Sequence, residues 1–302
     1  MKEEHIDQLL DALLAPAENK PHLMQVDITT LHPFAGHPYQ VRDDTEMDAL
    51  VESIQAQGIL TPLVVRPMDG NEKEYEVISG HRRLHACKKA GIEKVPALIC
   101  SLDRDAAAIA LVDSNLHREH ILPSEKAFAY KLKAEALNHR GQRTDLTSVQ
   151  VAPKLATEQI AEAANTSKDT VKRYIRLTNL IPGILEKVDA GKIALTPAVE
   201  LSYLTEAEQT DLLETMESED CTPSLSQAIA LKQSSQTGNL TMDRIFTIMT
   251  QPKANQQEKI SFKVSEIRDY FPKNYTAAQM SKDILKGLEL LKRQRQRNRD
   301  AR

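Results

Sequence analysis

The 302-residue chain contains no tryptophan and only 5 phenylalanines and 7 tyrosines, so a large aromatic-lined pocket is not expected. Its 3 cysteines, Cys87, Cys100 and Cys221, form no Cys-x-x-Cys pair and no metal-ligand spacing. That excludes a disulfide framework and leads us to expect a reducing cytoplasm. No apolar run is long enough to span a bilayer and no signal segment is found, so a soluble protein with no membrane partner is expected. Global positive charge is missing too: 39 Lys and Arg stand against 43 Asp and Glu, a formal net charge of −4. Contact with nucleic acid would therefore have to come from local basic patches.

Such patches exist. The run Lys292 to Arg302 holds Lys292, Arg293, Arg295, Arg297, Arg299 and Arg302 against the single acid Asp300. It reads either as a solvated tail or as a sequence-independent phosphate contact. The most informative stretch is Ser79-Gly80-His81-Arg82-Arg83-Leu84-His85-Ala86, between a strand-like run, Tyr75 to Ile78, and a helical pattern reaching Ala90. Glycine lets backbone approach a ligand, a helix N-terminus offers free N–H groups, and arginine grips oxyanions bidentately, so the arrangement suits a phosphate. The plain alternative is a solvated helix start.

The patterning predicts an α+β protein of several parts. Residues 1–23 read as an amphipathic appendage, with Ile6, Leu9, Leu10, Leu13 and Leu14 at helical spacing and Pro16 and Pro21 ending it. Residues 24–122 alternate strands and helices around a small mixed sheet: strands at 24–28, 63–66, 74–78 and 94–99, and helices at 46–57 and from Arg82 to Ala90. Asp69-Gly70-Asn71 is the turn of a hairpin. Residues 123–232 are helical, opening at Pro123, with 141–153 expected as a loop. Gln233 to Asn239 reads as a Ser/Gln/Gly-rich linker. Residues 240–302 read as a C-terminal module, a strand at 260–264 and a long helix from Ala277 to about Arg295. A module that small completes its core most readily by dimerising.

Within the helical part, Leu155, Ile160, Ala161 and Ala164 share one face, Asn165-Thr166-Ser167 makes a turn, and Lys168 to Leu177 forms a second helix. Val171 and Ile175 should face inward. Lys168, Asp169, Thr170, Lys172, Arg173 and Arg176 should face outward. A short helix, a small-residue turn and a basic second helix make the pattern of a DNA-reading helix-turn-helix.

Four segments, taken in order, resemble the ParB family of plasmid and chromosome partition proteins. His37-Pro38-Tyr39-Gln40-Val41-Arg42 is similar to its Asn-Pro-Tyr-Gln-Pro-Arg motif, and Gly58-Ile59-Leu60-Thr61-Pro62-Leu63 to Gly-Ile-x-x-Pro-Leu. Gly80-His81-Arg82-Arg83-Leu84-His85-Ala86 is similar to Gly-Glu-Arg-Arg-x-x-Ala, and Asn115-Leu116-His117-Arg118-Glu119 to Asn-Leu-Gln-Arg-Glu. The helix-turn-helix falls where that family carries it.

The resemblance, ParB/RepB-like and of the kind found on plasmids or other mobile elements, implies a CTP-operated clamp on DNA. It implies CTP and Mg2+ as cofactors, a homodimer loading on a palindromic site in double-stranded DNA, a ParA-type ATPase partner, and a nucleoid-associated place in the cytoplasm. It puts Thr61, Pro62 and Leu63 near the cytosine. It puts Gly80, His81, Arg82 and Arg83 on the phosphate side, completed by Asn115, Arg118 and Glu119, with Asn115 and Glu119 on the metal. Ser167, Lys168, Thr170, Lys172, Arg173 and Arg176 would meet DNA. Read without the resemblance, Asn115 is a helix terminus and Glu119 a surface charge.

Two positions depart from the family's pattern. His81 stands where the family has its hydrolytic glutamate, and Ser114 where most members have another, with Asp113 one position further back. Histidine presents no carboxylate to orient water, so CTP binding with weak or rearranged CTPase activity is expected. The same fold in a locus-specific regulator without a ParA partner is the alternative, and a ParB-fold nuclease or kinase a more distant one. In sulfiredoxins, which share this N-terminal fold, the nucleophilic cysteine aligns with Gly80, which excludes that chemistry.

Overall fold

The structure is a computed structural model that describes residues 20–116, 118, 120–144, 152–251, 267–272 and 274–300. The chain divides into two compact units, Met1–Gln251 and Pro252–Arg302. The N-terminal amphipathic stretch at 6–14 and the strand expected at 260–264 lie outside the described residues.

The first unit is built on a five-stranded mixed sheet of β1 (His22–Asp27), β2 (Leu31–Pro33), β3 (Leu63–Met68), β4 (Asn71–Ser79) and β5 (Lys94–Ile99), in the order β1-β5-β3-β4-β2. β3 and β4 form the expected antiparallel hairpin, and β3 runs parallel to β5. Side chains alternate across a strand, so the neighbours Val77 and Ile78 serve different cores. Val77 joins Leu63, Val65, Val95 and Ala97 beneath α1 (Thr45–Gln57) and α2 (His81–Ala90), which contribute Met47, Ile54, Leu84 and Cys87. Ile78 joins Phe34 and Tyr39 beneath α3 (Arg104–Asn115) and α4 (Pro123–Thr144).

One charged pair sits inside the sheet region. Arg66 Nε donates to Glu76 Oε2 at 2.7 Å with both side chains buried, and Glu76 Oε1 accepts the Ala35 N–H at 2.8 Å. This pins the segment after β2, which carries His37 and Tyr39, to the sheet.

The helices continue with α5 (Ala152–Ala163), α6 (Lys168–Arg176), α7 (Pro182–Asp189), α8 (Leu195–Leu201), α9 (Glu206–Ser218), α10 (Leu225–Gln236) and α11 (Met242–Met249). Two expectations are corrected here. The stretch 141–153 is not all loop: α4 runs to Thr144 and α5 starts at Ala152. One helix bridges the parts expected at 24–122 and 123–232. Helix α4 places Ala129 and Ala136 in the core with Phe34, and Ala127 in the core of the later helices.

Nor is 233–239 a linker. Helix α10 extends to Gln236, and Ser235 Oγ donates to Glu208 at 2.8 Å. Leu240, Ile245, Ile248 and Met249 pack into the same core as Leu212 and Leu231. Gln227 closes that arrangement: its buried Nε2 donates to the carbonyls of Ile248 and Met249 at 3.0 and 3.1 Å, satisfying groups the end of α11 leaves open. The boundary therefore falls after Gln251.

In the second unit the described residues are a short turn at Arg268–Tyr270 and the long helix α12 (Ala277–Asp300). Met280 is buried, whereas Leu285, Leu288, Leu290 and Leu291 are exposed. No helix among the described residues is long and apolar enough to cross a membrane.

Candidate functional site

The glycine turn is the centre of the candidate site. β4 ends at Ser79, α2 begins at His81, and Gly80 between them has φ 103°. A Cβ at this position would lie 2.9 Å from Leu63 Cδ2 and 3.2 Å from Arg83 Nη2, so strain and packing both require glycine. Having no side chain, Gly80 leaves α2 without a side-chain N-cap. The end of the helix opens on a cleft lined by His37, Tyr39, Gln40, Val41, Ser79, Gly80, His81, Arg82, Asn115 and Arg118.

Two imidazoles stack in this cleft. The rings of His37 and His81 are 3.7 Å apart between centroids and tilted by 36°. His81 Nε2 accepts a long hydrogen bond, 3.5 Å, from the Phe34 N–H, which puts the ring proton on Nδ1. Burial first, then His37 and Arg118, push His81 down to about 3. Burial also lowers His37, against a backbone hydrogen bond at Tyr39 that favours its charge. Burial raises the Tyr39 phenol, while Arg118, whose guanidinium lies 5.7 Å from its ring centre, acts in the opposite sense. At neutral pH position 81 therefore presents an uncharged ring.

The three arginines take different places. Arg82 lines the cleft, is about one third exposed, and shares its Nη2 between Asp44 and Glu46 at 3.3 Å each. Asp44 also accepts the Met47 N–H as the N-cap of α1. Arg118 lines the cleft from the end of α3. Arg83 turns to the loop before β3, where Nη1 donates to the Pro62 carbonyl at 2.7 Å and to that of Thr61. Thr61 is exposed, Pro62 half-buried and Leu63 fully buried, so this loop meets the cleft through Arg83 and Gly80 rather than as its lining.

Asn115, the last residue of α3, is buried and reaches the cleft. Its Nδ2 donates to the Leu111 carbonyl at 2.7 Å and to Ser114 Oγ at 3.2 Å. No described residue donates to its Oδ1, which is the atom left for a hard cation. Asp113 does not substitute for a cleft carboxylate: it pairs with the buried Lys133 of α4. Glu119 lies outside the described residues, and no cluster of three His, Cys, Asp or Glu able to hold a metal occurs among them.

A helical hairpin follows. Asn165 turns the chain with φ 49°, and Ser167 caps α6 by accepting the Thr170 N–H at 3.1 Å. Val171 is buried with Ile160, Ala161 and Tyr130, and Ile175 packs against them. Ser167, Lys168, Asp169 and Lys172 are exposed as expected. Thr170, Arg173 and Arg176 are half-buried. Arg173 donates to Thr196 Oγ1 at 2.5 Å, and Arg176 to the Ser202 hydroxyl and carbonyl at 3.2 Å each. The outward basic face is thus narrower than the sequence suggests.

Sequence reasoning missed the contribution of His37 to the cleft and the role of Glu125, which accepts the N–H groups of Gln40 and Leu122 at 2.9 and 3.1 Å. A His-Pro-Tyr-Gln run that carries a family motif was the available signal for the first.

Residues 15–116 match the family described as the ParB N-terminal domain. The probable chromosome-partitioning protein ParB of Vibrio cholerae is 30% identical over 262 residues, 84% of this chain and 80% of the relative. The probable chromosome-partitioning protein ParB of Coxiella burnetii is 29% identical over 208 residues, 69% of this chain and 64% of the relative, just under two thirds of its length. Two crystal structures of the C-terminally truncated chromosome-partitioning protein ParB of Caulobacter crescentus also match. The one complexed to the centromeric parS site is 22% identical, covering 70% of this chain and 99% of that one, with a TM-score of 0.39. The one complexed with CTP-gamma-S is 23% identical, covering 65% and 99%, with a TM-score of 0.30.

Proposed function

The chain belongs to the ParB family of chromosome-partitioning proteins, and from that premise we propose that it is a sequence-specific DNA-binding partition protein operated as a clamp by CTP. The observation that carries the reading is the cleft at Gly80. An uncapped helix N-terminus, Arg82, Arg118 and Asn115 converge there beside a strand end, which is the donor set a triphosphate requires.

In this reading the N–H groups at the start of α2 and the guanidinium groups of Arg82 and Arg118 take the phosphates. The neutral His81 ring donates from Nδ1 and does not act as a base. Arg83 serves from behind by holding the carbonyls of Thr61 and Pro62, the segment assigned to the cytosine. Asn115 Oδ1 and Glu119 are the oxygens offered to Mg2+, which would supply charge neutralisation on the phosphates. Cleavage of CTP is slow, because no carboxylate stands at position 81 and Asp113 is committed to Lys133.

DNA is read by α6. Ser167, Lys168 and Lys172 are exposed, with Thr170, Arg173 and Arg176 at the edge of the contact. A palindromic site requires two copies, and the exposed Leu285, Leu288 and Leu291 on α12 offer an apolar stripe for a homodimer. A ParA-type ATPase and a nucleoid-associated place in the cytoplasm complete the proposal.

Crosslinking a single-cysteine variant tests it. The native Cys87, Cys100 and Cys221 are replaced, and one cysteine is placed in the first unit. CTP with DNA should raise the yield of crosslinked dimer, and ATP or GTP should not. Equal crosslinking with every nucleotide would rule the clamp reading out.

A further inference from the structure

We propose that the DNA contact of this chain extends beyond the helix-turn-helix onto a second phosphate-binding patch, made of Arg176 at the end of α6, Tyr203 after α8 and Lys232 on α10. The patch rests on the DNA-binding reading above. Its occupant is a backbone phosphate of the same duplex.

Arg176 and Lys232 come from helices 56 positions apart in the chain and meet on one ring. The Arg176 guanidinium lies 4.0 Å from the Tyr203 ring centre and the Lys232 ammonium 3.8 Å. The ring is not buried by this: Tyr203 is 43% exposed. Two cations this close to a common ring centre are at most about 8 Å apart and repel each other. Only one is neutralised within the fold. Lys232 pairs with Glu200 at 2.9 Å, whereas the acceptors of Arg176 are the uncharged hydroxyl and carbonyl of Ser202. No carboxylate pairs with Arg176 among the described residues. Glu206 lines the neighbouring cleft with Arg176. A partly exposed pair of cations sharing one carboxylate has room for an external anion.

Position on the fold says which anion. Lys168, Lys172 and Arg176 recur at every fourth residue, so they share a face of α6 over roughly 12 Å of helix. Lys168 is spanned by Glu158 at 3.4 Å, and Lys172 is exposed. The positive line therefore runs from Lys172 to Arg176 and across Tyr203 to Lys232. A duplex on α6 presents a row of phosphates of matching extent, about one charge per 1.7 Å of axis. Such a contact carries no sequence information; it fixes how the duplex lies on α6.

The test measures affinity of the full chain for a short mixed-sequence duplex across a range of salt. Four variants are compared: Lys232→Gln, Lys232→Glu, Lys232→Arg and, as a helix-turn-helix control, Lys172→Gln. Removing one phosphate contact should lower the slope of log affinity against log salt by about 0.9. Lys232→Gln should show that loss, with several-fold weaker binding at low salt. Lys232→Glu should lose more, and Lys232→Arg, which keeps charge and ring contact, should match the native protein. Thermal unfolding of each variant separates loss of fold from loss of contact, and the arginine variant keeps the test decisive should the glutamine variant be unstable. Native slope and affinity in Lys232→Gln and Lys232→Glu, together with a reduced slope in Lys172→Gln, would overturn the patch and leave the helix-turn-helix reading standing. Failure of the native protein to bind the duplex at low salt would overturn both.

Discussion

Arg83 Nη1 donates to the carbonyl of Pro62 at 2.7 Å, tying the helix behind the glycine turn to the loop that precedes β3. The same nitrogen also serves the Thr61 carbonyl. Hydrogen bonds from a charged donor contribute about 1.5–3 kcal/mol each, and both come from one terminal nitrogen of a planar guanidinium whose fixed geometry lysine does not reproduce. Burial lowers the pKa of the Arg83 guanidinium. Arg83→Lys should therefore lose discrimination between CTP and UTP and weaken CTP binding about tenfold. Arg82→Ala should weaken every nucleoside triphosphate alike and keep the order of preference. Competition of unlabelled nucleotides against labelled CTP distinguishes the two.

Gly80→Ala should lower the thermal midpoint and weaken CTP binding. The left-handed backbone there costs an L-residue about 1–2 kcal/mol, and the new methyl would press on the fully buried Leu63. Gly91→Ala, at φ 72° and ψ 26° with open space around its Cβ position, should carry only the backbone cost. A urea titration of both variants checks the difference.

His81 makes stability depend on pH. Its folded pKa of about 3 lies below the ordinary 6.5, so between those values the unfolded chain holds a proton that the folded chain excludes. Its contribution to stability is full above pH 6.5 and is lost as the pH falls towards 3, with a slope approaching about 1.4 kcal/mol per pH unit. The lowered pKa of His37 acts in the same direction. Urea midpoints should fall on acidification from neutrality, and His81→Asn should flatten that fall. An unchanged pH profile in the variant would show that the ring is not buried neutral.

Removing either member of the Asp113–Lys133 pair should cost unequal amounts. Lys133 is 6% exposed, so Asp113→Asn strands a buried ammonium and should cost about 3 kcal/mol. Asp113 is 29% exposed and can rehydrate, so Lys133→Met should cost about 1 kcal/mol. Chemical unfolding of the two variants reads the asymmetry.

Local chemistry made much of this fold legible in the sequence. The Asp69-Gly70 turn, the glycines closing α1 and opening α2, and the small-residue turn at Asn165 each announced an element whose position holds within a few residues. Contacts between distant segments were not legible. Nothing near Gln227 marks it as the cap of α11, so the core that swallows 240–249 looked like a separate module. Likewise, two adjacent arginines after a glycine read as a pair of phosphate ligands. Only the approach of Thr61 and Pro62 from the loop before β3 sends Arg83 to a different task. The burial of His81 depends on His37 and Phe34, over 40 residues earlier, and no spacing rule connects them.

The most direct test of the account is equilibrium binding of labelled CTP to the full chain. Saturable binding is expected that unlabelled CTP displaces and ATP or GTP does not, that Arg82→Ala and Asn115→Ala weaken, and that survives in His81→Asn. No binding, or displacement by every nucleotide alike, would contradict it.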